Sequence, residues 1–109
     1  MSTTSDVAGF TYVWSYEVRD TREADFERLY GPDGGWAQLF RKSSNYLGTD
    51  LLRDRKNKNR YLTVDRWDSE PAHRTFVSEH REEFDELDRQ GEVLTQDESF
   101  VGDFDPAGI

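Results

Sequence analysis

The chain has 109 residues with a net charge of −9, no cysteine, and 14% aromatic residues within a hydrophobic fraction of only 34%. That length gives one domain and enough core to fold without staples. The absence of cysteine excludes disulfides, thiolate metal sites and cysteine nucleophiles, and suits a reducing, cytoplasmic setting. The acidic balance argues against nucleic acid and against anionic membranes as partners. No apolar run reaches the ~20 residues of a membrane span, and the polar start, MSTTSDVAG, does not read as a signal peptide.

Residues 1–9 are small and polar and are expected to fray, leaving a domain over 10–104 and a short tail over 105–109. Phe10 to Val18 alternates as a strand, with Phe10, Tyr12, Trp14, Tyr16 and Val18 on one face. Asp20 or Thr21 can cap a first helix carrying Phe26, Leu29 and Tyr30. Gly31 to Gly35 breaks it, and a short helical piece with Trp36, Leu39 and Phe40 follows. Tyr46 to Asp54 and Arg60 to Trp67 read as a hairpin joined by a Lys/Asn-rich turn. Asp68 or Ser69 opens a long helix that accepts Pro71 in its first turn and runs to about Gln90, stopping at Gly91. Its expected inner stripe is Ala72, Phe76, His80, Phe84 and Leu87. Val93 to Phe104 supplies a last strand.

The order β-α-β-β-α-β predicts an α+β, ferredoxin-like fold: a four-stranded antiparallel sheet with its helices on one face. The third strand carries apolar groups on both faces, so the uncovered face needs a second layer. A second copy of the chain, paired sheet to sheet, supplies it most simply.

The third strand running into its helix, Arg60-Tyr-Leu-Thr-Val-Asp-Arg-Trp-Asp-Ser69 followed by Phe76, resembles the antibiotic biosynthesis monooxygenase family of dimeric α/β-barrel proteins. Tyr30-Gly-Pro-Asp-Gly-Gly-Trp36, Leu39-Phe40 and Tyr46-Leu-Gly-Thr49 look like one branch of it. The resemblance covers roughly residues 10–104. It implies a homodimer and a pocket between helices and sheet within each subunit. It also implies, for some members, oxygenation of phenolic compounds without metal, flavin or other cofactor. Other members degrade haem, using a Trp at this strand end together with an Asn on the first strand and a His on the second helix. Here Trp67 is present, Trp14 stands where the Asn would, and His80 falls later than the pattern wants, so the haem role does not fit.

In such a pocket Tyr12, Trp14, Trp36, Phe40, Trp67 and Phe76 would bind a small aromatic or polyketide-like compound. His80 or Asp65 would act as the base, and Tyr16 as a hydrogen-bond donor to the anion. The plainer reading makes the aromatic groups core, His80 a hydrogen-bonded core histidine and Asp65 one half of a buried ion pair. Glu98, in the last strand, poses the same question as Asp65. His73 lies two turns from His80, about 10 Å along a helix axis, too far to share a metal, and no metal site is expected. A non-catalytic, dimeric small-molecule binder of the same fold is the alternative function.

Overall fold

In the computed structural model, which describes residues 9–107, alternation in β1 (Phe10–Val18) sets the orientation of everything else. Its even-numbered aromatic residues turn toward the helices, and Tyr12, Tyr16 and Val18 are buried there. Glu23–Tyr30 forms α1, and Gly35–Phe40 forms α2. The hairpin is β2 (Tyr46–Arg53) and β3 (Arg60–Trp67). Glu70–Glu79 and Arg81–Glu92 form α3 and α4, and Thr95–Phe104 forms β4. The sheet order is β2-β3-β1-β4, antiparallel throughout. The α+β ferredoxin-like topology expected from the sequence is therefore present.

Register places both tyrosine-rich strands on one face. Tyr12 pairs with Asp65, Trp14 with Thr63, and Tyr16 with Tyr61. In β3 the residues Tyr61, Thr63, Asp65 and Trp67 are all buried under the helices. Two aromatic cores fill this layer. One gathers Tyr16, Phe26, Tyr30 and Tyr61; the other gathers Tyr12, Phe40, Trp67 and Phe76.

Helix ends depart from expectation in three places. Neither Asp20 nor Thr21 caps α1. The N-cap is Arg22, without a side-chain bond; Asp20 instead accepts from Asn59 Nδ2 at 2.6 Å, and Thr21 sits at φ 69°. The long helix expected from Ser69 to Gln90 is broken at His80, whose backbone (φ −119°, ψ 34°) ends α3 and begins α4. Gly91 does not stop the chain there but lies inside α4. Neither Gly nor Pro marks the break.

The remaining junctions follow local chemistry. Ser69 is the N-cap of α3, its hydroxyl accepting from the Ala72 N–H at 3.2 Å, and Pro71 occupies the first turn. Ser69→Ala is expected to cost about 1 kcal/mol in denaturant unfolding, the usual worth of such a cap. At Gly34 a Cβ would stand 2.5 Å from the Arg28 carbonyl oxygen, so the α1–α2 connection is that tight only because the residue is glycine.

Candidate active site

Between the helix layer and the aromatic face of the sheet lies a cavity of about 510 Å³, open on one side. Tyr12, Trp14 and Tyr16 from β1 form its floor, with Thr63 and Asp65 from β3 beside them. Tyr30, Trp36 and Phe40 come from α1 and α2; His73, Val77, Arg81 and Phe84 come from α3 and α4; Glu98, Phe100 and Asp103 come from β4. The size falls within the range of small-molecule sites, and the lining is largely aromatic.

Asp65 is the one carboxylate on this floor that is buried, at 7% exposed. Its single hydrogen bond comes from the Thr49 hydroxyl at 2.5 Å, and Thr49 in turn bonds the Tyr46 hydroxyl. No Lys, Arg or His forms an ion pair with it among the described residues; neighbouring Arg66 points to Asp50 on the opposite sheet face, at 2.7 Å. Burial raises the Asp65 carboxyl to about 6, against smaller opposing pulls from the Thr49 hydroxyl and Arg66. The buried ion pair considered from sequence is not formed.

The phenols nearby are shifted in the same sense. Burial, and then the charge of Asp65, push Tyr12 upward; burial, and then Tyr30, push Tyr16 upward. Both therefore stay protonated at neutral pH and can donate a hydrogen bond to an anion in the cavity.

The expected residues divide into those on the wall and those behind it. Tyr12, Trp14, Tyr16, Trp36, Phe40 and Asp65 line the cavity. Trp67 and Phe76 lie beneath it: Trp67 is fully buried, its ring packed on Phe40, Tyr46, His73 and Phe76 at centroid distances of 5.1–5.5 Å. The indole N–H groups of Trp67 and Trp36 are buried without a partner of good geometry among the described residues.

His80 is not on the wall. Its ring stacks on Phe76 at 4.0 Å, and its Nδ1 bonds the Phe76 carbonyl at 3.0 Å, which makes it a helix-end residue. The histidine that does reach the cavity is His73, against Tyr12 at 4.7 Å, and burial lowers its pKa despite the counter-pull of Glu70. Sequence reasoning passed over it because a stripe anchored on Ala72 puts position 73 off the inner face. The spacing His73, Phe76, Val77 satisfies i, i+3, i+4 equally well and was the available signal. Glu98 is exposed, yet it faces the cavity through its pairing with Tyr16. Among the described residues no cluster of three or more His, Cys, Asp or Glu could hold a metal ion, and no helix is long and apolar enough to cross a membrane.

A βαββαβ sheet with an aromatic-lined cavity under its helices defines a protein of the ferredoxin-like class. Residues 9–90 match the family model for antibiotic biosynthesis monooxygenase, and the chain belongs to that family. Its fold is similar to that of SnoaB, a cofactor-independent oxygenase from Streptomyces nogalater (TM-score 0.76, 20% identity, 94% of this chain and 96% of that one). It is also similar to a conserved protein from Methanosarcina mazei (TM-score 0.71, 9% identity, covering 97% and 100%) and to PA3566 from Pseudomonas aeruginosa (TM-score 0.67, 17% identity, covering 93% and 96%). A comparison with curated proteins finds no sequence match.

Proposed function

We propose that the chain is a cofactor-independent monooxygenase acting on a small, multi-ring phenol or enol. The observation that carries this reading is Asp65: a buried carboxylate with no cation, open to an aromatic cavity and held at about 6. A base is most effective when its pKa lies near the working pH. Asp65 removes a proton from the activated carbon or hydroxyl of the substrate, and the electron-rich anion adds molecular oxygen to form a peroxide. The peroxide takes the proton back and loses water, leaving a new carbonyl. One oxygen atom enters the product and one leaves as water, and all four electrons that reduce the oxygen come from the substrate carbon as it becomes a carbonyl. Tyr16 and Tyr12 donate to the anionic oxygen, and Trp14, Trp36 and Phe40 hold the rings. His73, beside Tyr12 and shifted by burial toward its neutral form, relays a proton at the mouth. His80 takes no part in the chemistry.

The family membership and the SnoaB-like fold support the same reaction type. Oxygen uptake over a panel of anthrones and polycyclic phenols tests it. Consumption matched by quinone formation is expected. Binding of these compounds without oxygen consumption would instead favour the non-catalytic binder.

The active unit is a homodimer through the open sheet face. Val13, Leu62 and Val64 are half-buried and Leu52 is half-exposed, and register sets all four on that face. A cover there removes an apolar patch from water. Sedimentation at micromolar concentration is expected to give a dimer, and Leu62→Asp a monomer. A monomeric parent chain would refute the pairing.

A further inference from the structure

The mouth of the cavity is built against negative charge. Glu70 stands at one end beside His73, and Asp103 comes from the strand position opposite Tyr12. Asp88 from α4 and Glu98 from β4 stand at the other end, where Glu98 lies opposite Tyr16. The cations do not balance them. Arg81 is the one arginine or lysine on the lining and is engaged with Asp85 at 3.5 Å, while burial drives His73 toward its neutral form. Glu70 is neutralised by Arg74, but Asp88, Glu98 and Asp103 form no ion pair among the described residues. Burial together with like charge (Asp88 and Glu92 for Glu98, Asp85 and Glu92 for Asp88) raises the pKa of both, against a smaller opposing pull of Arg81 on Asp88. Behind them Tyr16, Tyr30 and Trp36 present aromatic faces, and Asp65 adds a further uncompensated carboxylate on the floor. Aromatic faces with carboxylates on the rim attract an ammonium group and repel a carboxylate.

We infer that the ligand of this cavity is an arylalkylamine, bound with its ring system on the aromatic floor and its protonated side-chain nitrogen between Asp88 and Glu98. This rests on the reading of the cavity as a small-aromatic site and names the class of compound it takes. The cationic nitrogen also offsets the charge that a substrate anion would otherwise place beside five acidic side chains.

The test is equilibrium binding of three compounds with one shared ring system: naphthylmethylamine, naphthalenemethanol and naphthoate. It is read by quenching of Trp14 and Trp36 fluorescence at neutral pH, at low and high salt. The amine is expected to bind roughly ten-fold tighter than the alcohol, the size of a pair of solvent-screened ion contacts with a cation–π contribution. Naphthoate is expected to bind weakest. The amine's advantage shrinks in high salt and disappears in the Asp88→Asn/Glu98→Gln variant, whose fold is checked by circular dichroism. Equal affinity for amine and alcohol, tighter binding of naphthoate, or an amine preference that survives the double substitution would each overturn the inference. Failure of all three compounds to bind would overturn it together with the small-aromatic reading. Amine-selective binding with no oxygen uptake by any phenol, with or without an aminoalkyl group, would overturn the oxygenase reading alone.

Discussion

Asp65→Asn is expected to abolish oxygen uptake and to make the protein more stable at neutral pH. Loss of a positioned base typically lowers turnover by about 10²–10⁴-fold. The stability effect follows from linkage. Burial holds the Asp65 carboxyl at about 6 in the folded chain, against ~3.9 when unfolded, so folding takes up a proton between those values. Stability attributable to Asp65 is therefore fully present below ~4, falls as pH rises through about 6, and stays low above it. The displacement of about 2 units corresponds to roughly 3 kcal/mol. Asparagine carries no such penalty, and its amide oxygen still accepts from Thr49. The variant should exceed the parent in unfolding free energy by up to that amount at about pH 8 and match it at about pH 4. Denaturant titrations at the two pH values check this. A loss of activity accompanied by a loss of stability at high pH would make Asp65 a structural residue.

Trp67→Ala is expected to cost about 3–5 kcal/mol, the range for deleting a large buried aromatic side chain. That is a large share of the stability of a small domain, roughly 5–15 kcal/mol. Trp67 is fully buried and touches four other rings, so no neighbour can close the space it would leave. Trp14 offers the contrast. It is only half-buried and meets Phe100, itself half-exposed, edge-on at 5.1 Å. Trp14→Ala should cost much less stability and should weaken ligand binding instead. Equal stability losses in the two variants, measured by urea unfolding, would refute the division between wall and support.

Strand periodicity carried much of this in the sequence. In β1 and β3 the side chains alternate, so Tyr12, Trp14 and Tyr16 had to share a face, and Asp65 had to share one with Trp67. The antiparallel register then brings Asp65 opposite Tyr12. That is why Asp65 could be placed among the aromatic groups of the helix-covered face before any coordinates. The helices were less legible. A stripe through Ala72, Phe76, His80, Phe84 and Leu87 draws attention to His80, whereas His73, one turn before Phe76 on the same helix, is the histidine that lines the cavity. The break at His80 carries no Gly or Pro to announce it. The strand β4 was hidden for a related reason. It shifts register against β1 between Val13 and Trp14, and again between Glu17 and Val18. Counting by twos along that strand cannot say which side Glu98 occupies. The acidic mouth was invisible for the same reason, because it joins α4 to β4 across that uncertain register.

The most direct measurement of the central claim is the titration of the Asp65 side-chain carboxyl by carbon-13 NMR, with its signal assigned by comparison with Asp65→Asn. A midpoint near 6 is predicted. A midpoint at the ordinary carboxylate value of ~3.9 or below would mean that Asp65 is solvated or paired in solution, and would contradict its role as the base of this site.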